Sequence, residues 1–344
     1  ASMILVRRRA WWFNKVPLSV TLVLALLDGG PFSAQAFVVL ATIVLTVCAV
    51  GNYGYALNDL FDVDEDARLG RTNAAAAAGS PRMWAIIGAS AVCAEMLAVA
   101  AAGALGAILT LLALCVTFAY SVPPLRIKER RWLGISADAL SAHVYPAMLA
   151  LLTVTHWGLR PVTTVLAVCV AVWSTAAGLR GILSHQLHTA DQDRTAGLRT
   201  VVHDLGNERV EKFVLAALLP LEVAAFGGVL LSCSGGVILW LFVCLYLAYE
   251  IVKTVNGRFR VTAFRPQGQR YLPFLEESFY KAWGPVVLAL DAARADAVYL
   301  LLVPAYALLF LPHLRIESGR FRLLMRSASV NPARESSGRS NGES

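Results

Sequence analysis

Charge is what this sequence has least of. Asp, Glu, Lys and Arg together make up 15% of its 344 residues, against 57% hydrophobic residues. Its mean hydropathy of +0.61 lies far from that of a water-soluble domain, which excludes an ordinary soluble enzyme. Cysteine is sparse too. Each of the six, Cys48, Cys93, Cys115, Cys169, Cys233 and Cys244, sits inside an apolar run, without the close pairing of a metal or redox motif. They read as small core hydrophobes. A cleavage site is missing as well: the apolar stretch from Val16 runs into Asp28-Gly29-Gly30-Pro31, so the first span is expected to be retained. The net charge of +7 does not point to nucleic acid, because the arginines flank apolar runs instead of covering one soluble face; anionic lipid or a diphosphate fits better.

What the chain has in abundance is apolar sequence in stretches long enough to cross ~30 Å of hydrocarbon as a helix. Length and helix breakers predict an all-α, multi-pass membrane bundle of about nine transmembrane helices. The spans fall near 11–30, 35–61, 82–103, 105–121, 134–156, 161–188, 211–232, 235–256 and 295–313. No soluble domain interrupts them, so 1–313 reads as one domain and 314–344 as a basic tail, disordered in composition from Ser327 onward.

Arg7, Arg8, Arg9 and Lys15 place the N-terminal end in the cytoplasm, and threading from there sends loops 62–81, 122–133, 189–210 and 257–294 to the same side. Those loops hold most of the basic residues, including Arg68, Arg71, Arg126, Lys128, Arg130, Arg131, Arg194, Arg199, Arg258, Arg260, Arg265 and Arg270. One feature conflicts with this count. An odd number of spans leaves Arg315, Arg320, Arg322 and Arg326 outside the cell, while Ala282–Ala293 is too short for an ordinary span and reads as an interfacial or re-entrant helix.

The segment 52–71 carries the strongest chemical signal. An apolar span runs into Asn58-Asp59-Leu-Phe-Asp62-Val-Asp64-Glu65-Asp66. On a helix, the four-residue spacing stacks Asn58, Asp62 and Asp66 on one face, with Asp59 beside them. Carboxylates so placed at a membrane boundary repel one another unless a cation sits among them, and hard oxygen ligands favour Mg2+.

The pattern Asn58-Asp59-x-x-Asp62-x-x-x-Asp66 resembles the first aspartate motif, NDxxDxxxD, of the UbiA superfamily of intramembrane prenyltransferases. Tyr120-Ser121-Val-Pro123-Pro124-Leu-Arg126-Ile-Lys128 is similar to that family's YSxPPLxLK segment, and Asp193-Arg194-Thr-Ala-Gly197-Leu-Arg199-Thr200 to the end of its second aspartate motif, here within 185–200. Two departures stand out. The second motif, NDxxDxxxDR in the family, reads His185, Gln186, Thr189 and Asp193 here, with Asp191 two residues before the surviving aspartate; and the Arg-Pro pair after the first motif is replaced by Arg71-Thr72-Asn73 and five alanines.

The resemblance implies a prenyl diphosphate substrate held through Mg2+ by Asn58, Asp59, Asp62, Asp66, Asp193 and Asp191, with Arg126, Lys128 and Arg199 neutralising the departing diphosphate. Tyr120 is a candidate for stabilising the allylic cation and His185 for a base, while Arg71, Gln186 and Arg180 are candidate substrate contacts. Arg126 and Lys128 also suit positive-inside anchoring, Tyr120 an aromatic belt, and His185 and His188 simple packing. Arg180 falls inside a span and needs a partner facing the bundle interior; Glu95, Asp138 and Glu222 fall within spans too.

Transfer to a small or lipid-like acceptor leads three rivals: an intramembrane terpene cyclase needing no acceptor, a polyprenyl-phosphate phosphoribosyltransferase, and a transporter whose acids form an ion site. Chain length, acceptor and oligomeric state stay open.

Overall fold

The computed structural model describes residues 6–27, 30–195, 197, 199–233, 236–255, 261–262, 272–273 and 279–328. Arg258, Arg260, Arg265 and Arg270 lie outside the described residues. The chain is helical almost throughout. Among the described residues the only strand pairing is two residues long, Val261–Thr262 beside Leu272–Pro273.

Helix α1 (Arg8–Leu27) leads to α2 (Ala34–Phe61), whose first turn is capped by the Ser33 hydroxyl accepting from Ala36 N. Two short helices follow, α3 (Val63–Arg68) and α4 (Ala74–Ala78), the latter capped by Asn73. Helix α5 (Ser80–Ser121) is continuous in outline but folds back at Ala102–Gly103, where Gly103 adopts φ +60. Only glycine enters that conformation at little cost. The fold-back matches the gap expected between the third and fourth spans. Its first arm runs from Trp84, which meets the Phe61 ring edge-on, to Ala101, whose carbonyl accepts from the Trp157 indole.

Helices α6 (Trp132–Ala139) and α7 (Tyr145–His156) join through a wide π-type turn at Leu140–Val144. Helix α8 (Thr164–Thr195) is followed by α9 (Val201–Leu205), then α10 (Asn207–Phe213) and α11 (Leu219–Ser232) joined by a second π-type turn. After α12 (Val237–Val255), a third π-type turn at Phe279–Trp283 opens α13 (Gly284–Ala292). A 3-10 turn at Ala297–Leu301 then enters α14 (Leu302–Leu309), and α15 (Leu311–Ala328) completes the described chain.

Five of these segments are long and apolar enough to cross a membrane unaided: Ala34–Phe61, Ser80–Ser121, Trp132–His156, Thr164–Asp191 and Asn207–Ser232. Their outer surface is greasy, as a lipid-facing surface must be; Met96 is 69% exposed, Val165 66% and Leu231 75%. Inside, Leu22, Ile43, Trp173, Phe226, Tyr246, Phe279 and Tyr280 share one apolar core, and Tyr53, Leu57, Met83, Leu114 and Tyr145 form another nearer the acidic end of α2.

Tracing which ends touch corrects the expected count. Phe279–Ala292 is not interfacial: its residues are largely buried, and it packs against α1 and α12, starting level with Thr21 and Tyr246 and running to the far end. At one end Lys281 Nζ donates to Asn14 Oδ1 at 3.0 Å; at the other Asp291 accepts from Gly236 N and Leu239 N, both at 3.2 Å. The length rule assumes a helix in lipid, and a helix wrapped in protein has its polar ends satisfied without reaching water. The next run starts where Phe32 N donates to Asp296 and ends where Phe310 stacks on Trp12. Counting the two arms of α5 separately, ten helical runs are present among the described residues, against about nine expected spans.

Helix α15 therefore begins at the same end as α1, after a bend of 82°. Its His313 ring contacts Phe13 O at 2.8 Å. This removes the conflict over Arg315, Arg320, Arg322 and Arg326. It also shows regular structure well into the stretch expected as a tail, whose remainder, 329–344, lies outside the described residues.

The connections are lopsided. At the far end they cover 28–33, 157–163, 233–236 and 293–296, with none between the arms of α5; at the acidic end they cover 62–79, 122–131, 196–206 and 256–278.

Candidate functional site

The first motif does not form the continuous one-face stack that its spacing predicts. Helix α2 stops at Asp62, which takes φ −110 and ψ 11 and hands over to α3, although Asp66 N still donates to Asp62 O at 2.8 Å. The break splits the carboxylates into two sets. Asp59 and Asp66 share Arg7, with Arg7 Nε 2.5 Å from Asp59 Oδ1 and Arg7 Nη2 3.1 Å from Asp66 Oδ2. Asp62 faces the other way, to Lys128 Nζ at 2.5 Å and Arg126 Nη2 at 3.2 Å. Arg126 also reaches Glu65 at 2.8 Å and pairs with Glu129.

Asn73, from the stretch that replaces the expected Arg-Pro, donates to Asp66 Oδ2 and to Asp59 O, both at 2.8 Å. Asp59, Asp62 and Asp66 are 0%, 5% and 4% exposed, so each depends on these partners to offset the cost of burial. Arg7 and Arg126 both hold positive φ, 44 and 33, a conformation that non-glycine residues adopt at an energetic cost and that clusters at functional sites.

The second motif sits at the end of α8. Asp193 is 9% exposed and accepts from Thr189 Oγ1 at 2.7 Å, so threonine in the place of an aspartate serves here as a hydrogen-bond donor. Asp191, expected as a ligand, is placed elsewhere: its side chain is 96% exposed and pairs with Arg194 at 3.4 Å, because two residues along a helix turn a side chain away by about 200°.

Arg180 pairs with Glu222 in a buried two-pronged ion pair of 2.6 and 2.9 Å, on α11 and apart from the acidic mouth, so its position is that of a helix-to-helix tie. Arg71 and Arg199 are exposed. Gln186 is partly buried, and its Oε1 has no hydrogen-bond partner among the described residues.

Between the motif helices lies a cavity of about 630 Å3. Asn58, Tyr120 and His185 line it, and Arg7 closes one side. Val47, Val50, Pro146 and Ile182 supply apolar wall. Sequence reading missed several polar residues here, among them Arg7 and Lys15, taken only as markers of orientation, Asp138, noted only as lying in a span, and His143 and Lys281, which the π-type turns at Leu140–Val144 and Phe279–Trp283 carry into the wall. Such turns displace a side chain from helical register and recur at functional sites, but no spacing rule announces them in a sequence.

Among the described residues no three His, Cys, Asp or Glu side chains are already gathered as a metal cage. The donor set nevertheless suits a hard divalent cation. Asp59, Asp62, Glu65 and Asp66 share only Arg7, Arg126 and Lys128 among the ion pairs described, and Asp193 has a hydroxyl alone. Buried oxygen ligands with more negative charge than positive are what such an ion binds.

A model of the UbiA prenyltransferase family matches residues 16–265. The chain belongs to the UbiA prenyltransferase family. Its fold is that of solved UbiA homologs. A UbiA homolog from Archaeoglobus fulgidus bound to GPP and Mg2+ is 20% identical, with a TM-score of 0.57 over 86% of this chain and 98% of that one. The same figures hold for a UbiA homolog from that organism bound to DMAPP and Mg2+. A third structure, of a UbiA homolog from the same organism bound to Cd2+, is 17% identical with a TM-score of 0.54, over 88% of this chain and 100% of that one. No curated protein matches the sequence.

Proposed function

We propose that this UbiA-family protein is an intramembrane prenyltransferase that ionises a prenyl diphosphate with the help of Mg2+ and passes the prenyl group to a small or lipid-like acceptor. One observation carries the reading: helices α2 and α8 line a single partly apolar cavity with Asn58 and His185, and each carries a buried motif aspartate farther along, Asp62, which is paired with Arg126 and Lys128, and Asp193. The GPP and DMAPP carried by UbiA homologs of this fold support a prenyl diphosphate as the substrate.

Asn58, Asp59, Asp62, Asp66 and Asp193 would hold the metal. When bound, Mg2+ neutralises negative charge on the diphosphate and eases its departure. Arg126 and Lys128, both tied to Asp62, bring two more positive charges to the same place and orient the leaving group. Val47, Val50, Pro146 and Ile182 keep water from the allylic cation, and the Tyr120 ring lies in the same wall to face it. The excess of lysine and arginine at this end of the bundle supports a cytoplasmic mouth and a substrate whose chain lies among the helices in the bilayer.

The test is pyrophosphate release by the purified protein from prenyl diphosphates of increasing length, with Mg2+, with and without candidate acceptors. Release that EDTA stops, that Asp62→Ala lowers at least about a hundredfold, and that needs an acceptor is the expected result. Release without acceptor would shift the reading to a cyclase. No release from any prenyl diphosphate, but release from phosphoribosyl diphosphate, would replace it with phosphoribosyl transfer.

A further inference from the structure

Asp138 is a carboxylate set four residues before Ala142 in a membrane-spanning run, and it opens onto the cavity. Among the described residues no cation or hydrogen-bond donor reaches its carboxylate. That sets it apart from every motif aspartate, each of which has a basic or hydroxyl partner, and from Glu222, which has Arg180. A carboxylate at membrane depth without a partner is costly and marks a place where something positive belongs.

Its position is fixed by close packing. At the crossing of α6 and α8, a Cβ on Gly178 would lie 2.9 Å from Ala139 Cβ and 3.0 Å from Ala139 Cα, so the two helices touch backbone to side chain one residue from Asp138. From there Asp138 lies within electrostatic reach of His185, which also feels Asp193, and of Tyr120, which also feels Asp62. It shares the cavity wall with Asn58 of the first motif and His185 of the second. On α8 the positions that carry aspartate in the family's second motif hold Gln186 and Thr189 instead.

Resting on the proposed function, we infer that Asp138 is the carboxylate that replaces the ones missing from the second motif: a metal-binding side chain supplied from α6 rather than from α8. With Asp193 it gives the α8 side of the mouth two acids against the three of the first motif. The carboxylate has been moved to the neighbouring helix, not lost.

The direct measurement is Mn2+ binding by electron paramagnetic resonance, on the full chain in nanodiscs with inorganic pyrophosphate, which needs no turnover. Asp138→Asn is expected to weaken Mn2+ binding at least tenfold or to lower the bound stoichiometry. Thr189→Asp, made in the Asp138→Asn background, is expected to restore it by returning the acid to α8. The melting temperature and gel-filtration profile of each variant, and Asp138→Glu as a milder change, separate folding from binding. Unchanged Mn2+ binding in folded Asp138→Asn, alongside its loss in Asp62→Asn, would overturn this inference and leave the proposed function standing. Unchanged binding in Asp62→Asn would remove the metal-dependent reading itself.

Discussion

At the scale of single residues, the acids were legible and their partners were not. The spacing of Asn58, Asp62 and Asp66 predicts a cation site, because carboxylates crowded at a membrane boundary need positive charge among them. Nothing local announces Arg7, which reaches Asp59 and Asp66 from the other end of two helices. Removing it tests the arrangement. Arg7→Gln leaves two buried carboxylates short of a charge and is expected to destabilise the protein by roughly 1–2 kcal/mol, the figure being lowered for Arg7's partial exposure. A divalent cation should recover the loss, so the rise in melting temperature on adding Mg2+ should be larger in the variant than in the parent chain.

Arg180 shows the converse. Its place inside a span called for a partner, and the structure supplies Glu222 at 0% exposure. Glu222→Gln strands a buried guanidinium and is expected to cost about 3–5 kcal/mol in chemical denaturation, whereas Arg180→Met combined with Glu222→Leu is expected to recover most of it.

At the scale of elements, apolar length and breakers located most helices within a few residues, including the turn between the arms of α5, because hydrocarbon thickness imposes the same length on every lipid-facing helix. The same rule failed at Phe279–Ala292, which is sheathed in protein and so escapes it. The three π-type turns were illegible for a different reason: a single extra residue in a helix changes no composition and little periodicity, yet it decides that His143 and Lys281 face the cavity. The α6–α8 crossing is a third feature beyond sequence reading. Gly178→Val forces a Cβ into Ala139 and is expected to destabilise by about 1–3 kcal/mol, and pyrophosphate release should fall by more than the loss of folded protein explains, since the same crossing holds Asp138 in place.

At the scale of the whole molecule, the even number of runs puts the start of α1 and the start of α15 together. In a cysteine-free background, Ser318→Cys is expected to react with an impermeant thiol reagent from the same side of sealed vesicles as Arg68→Cys, and Thr163→Cys from the opposite side. Reaction of Ser318→Cys alongside Thr163→Cys would restore the odd count. The family was legible from the first motif and from Tyr120–Lys128, and the membership and the fold agree with that reading.

The lopsided connections carry a consequence for how such a molecule can change over generations. At the far end the connections are shorter, down to none at Ala102–Gly103, where an insertion would push packed helices apart. At the mouth, the connections 62–79, 122–131 and 196–206 are longer, and among the described residues each is exposed in part, as at Arg68, Arg130 and Leu205. The bundle is a socket whose adjustable parts all lie on one face. New substrate preferences can arise by rewriting that face alone, while the helical frame beneath it is inherited unaltered.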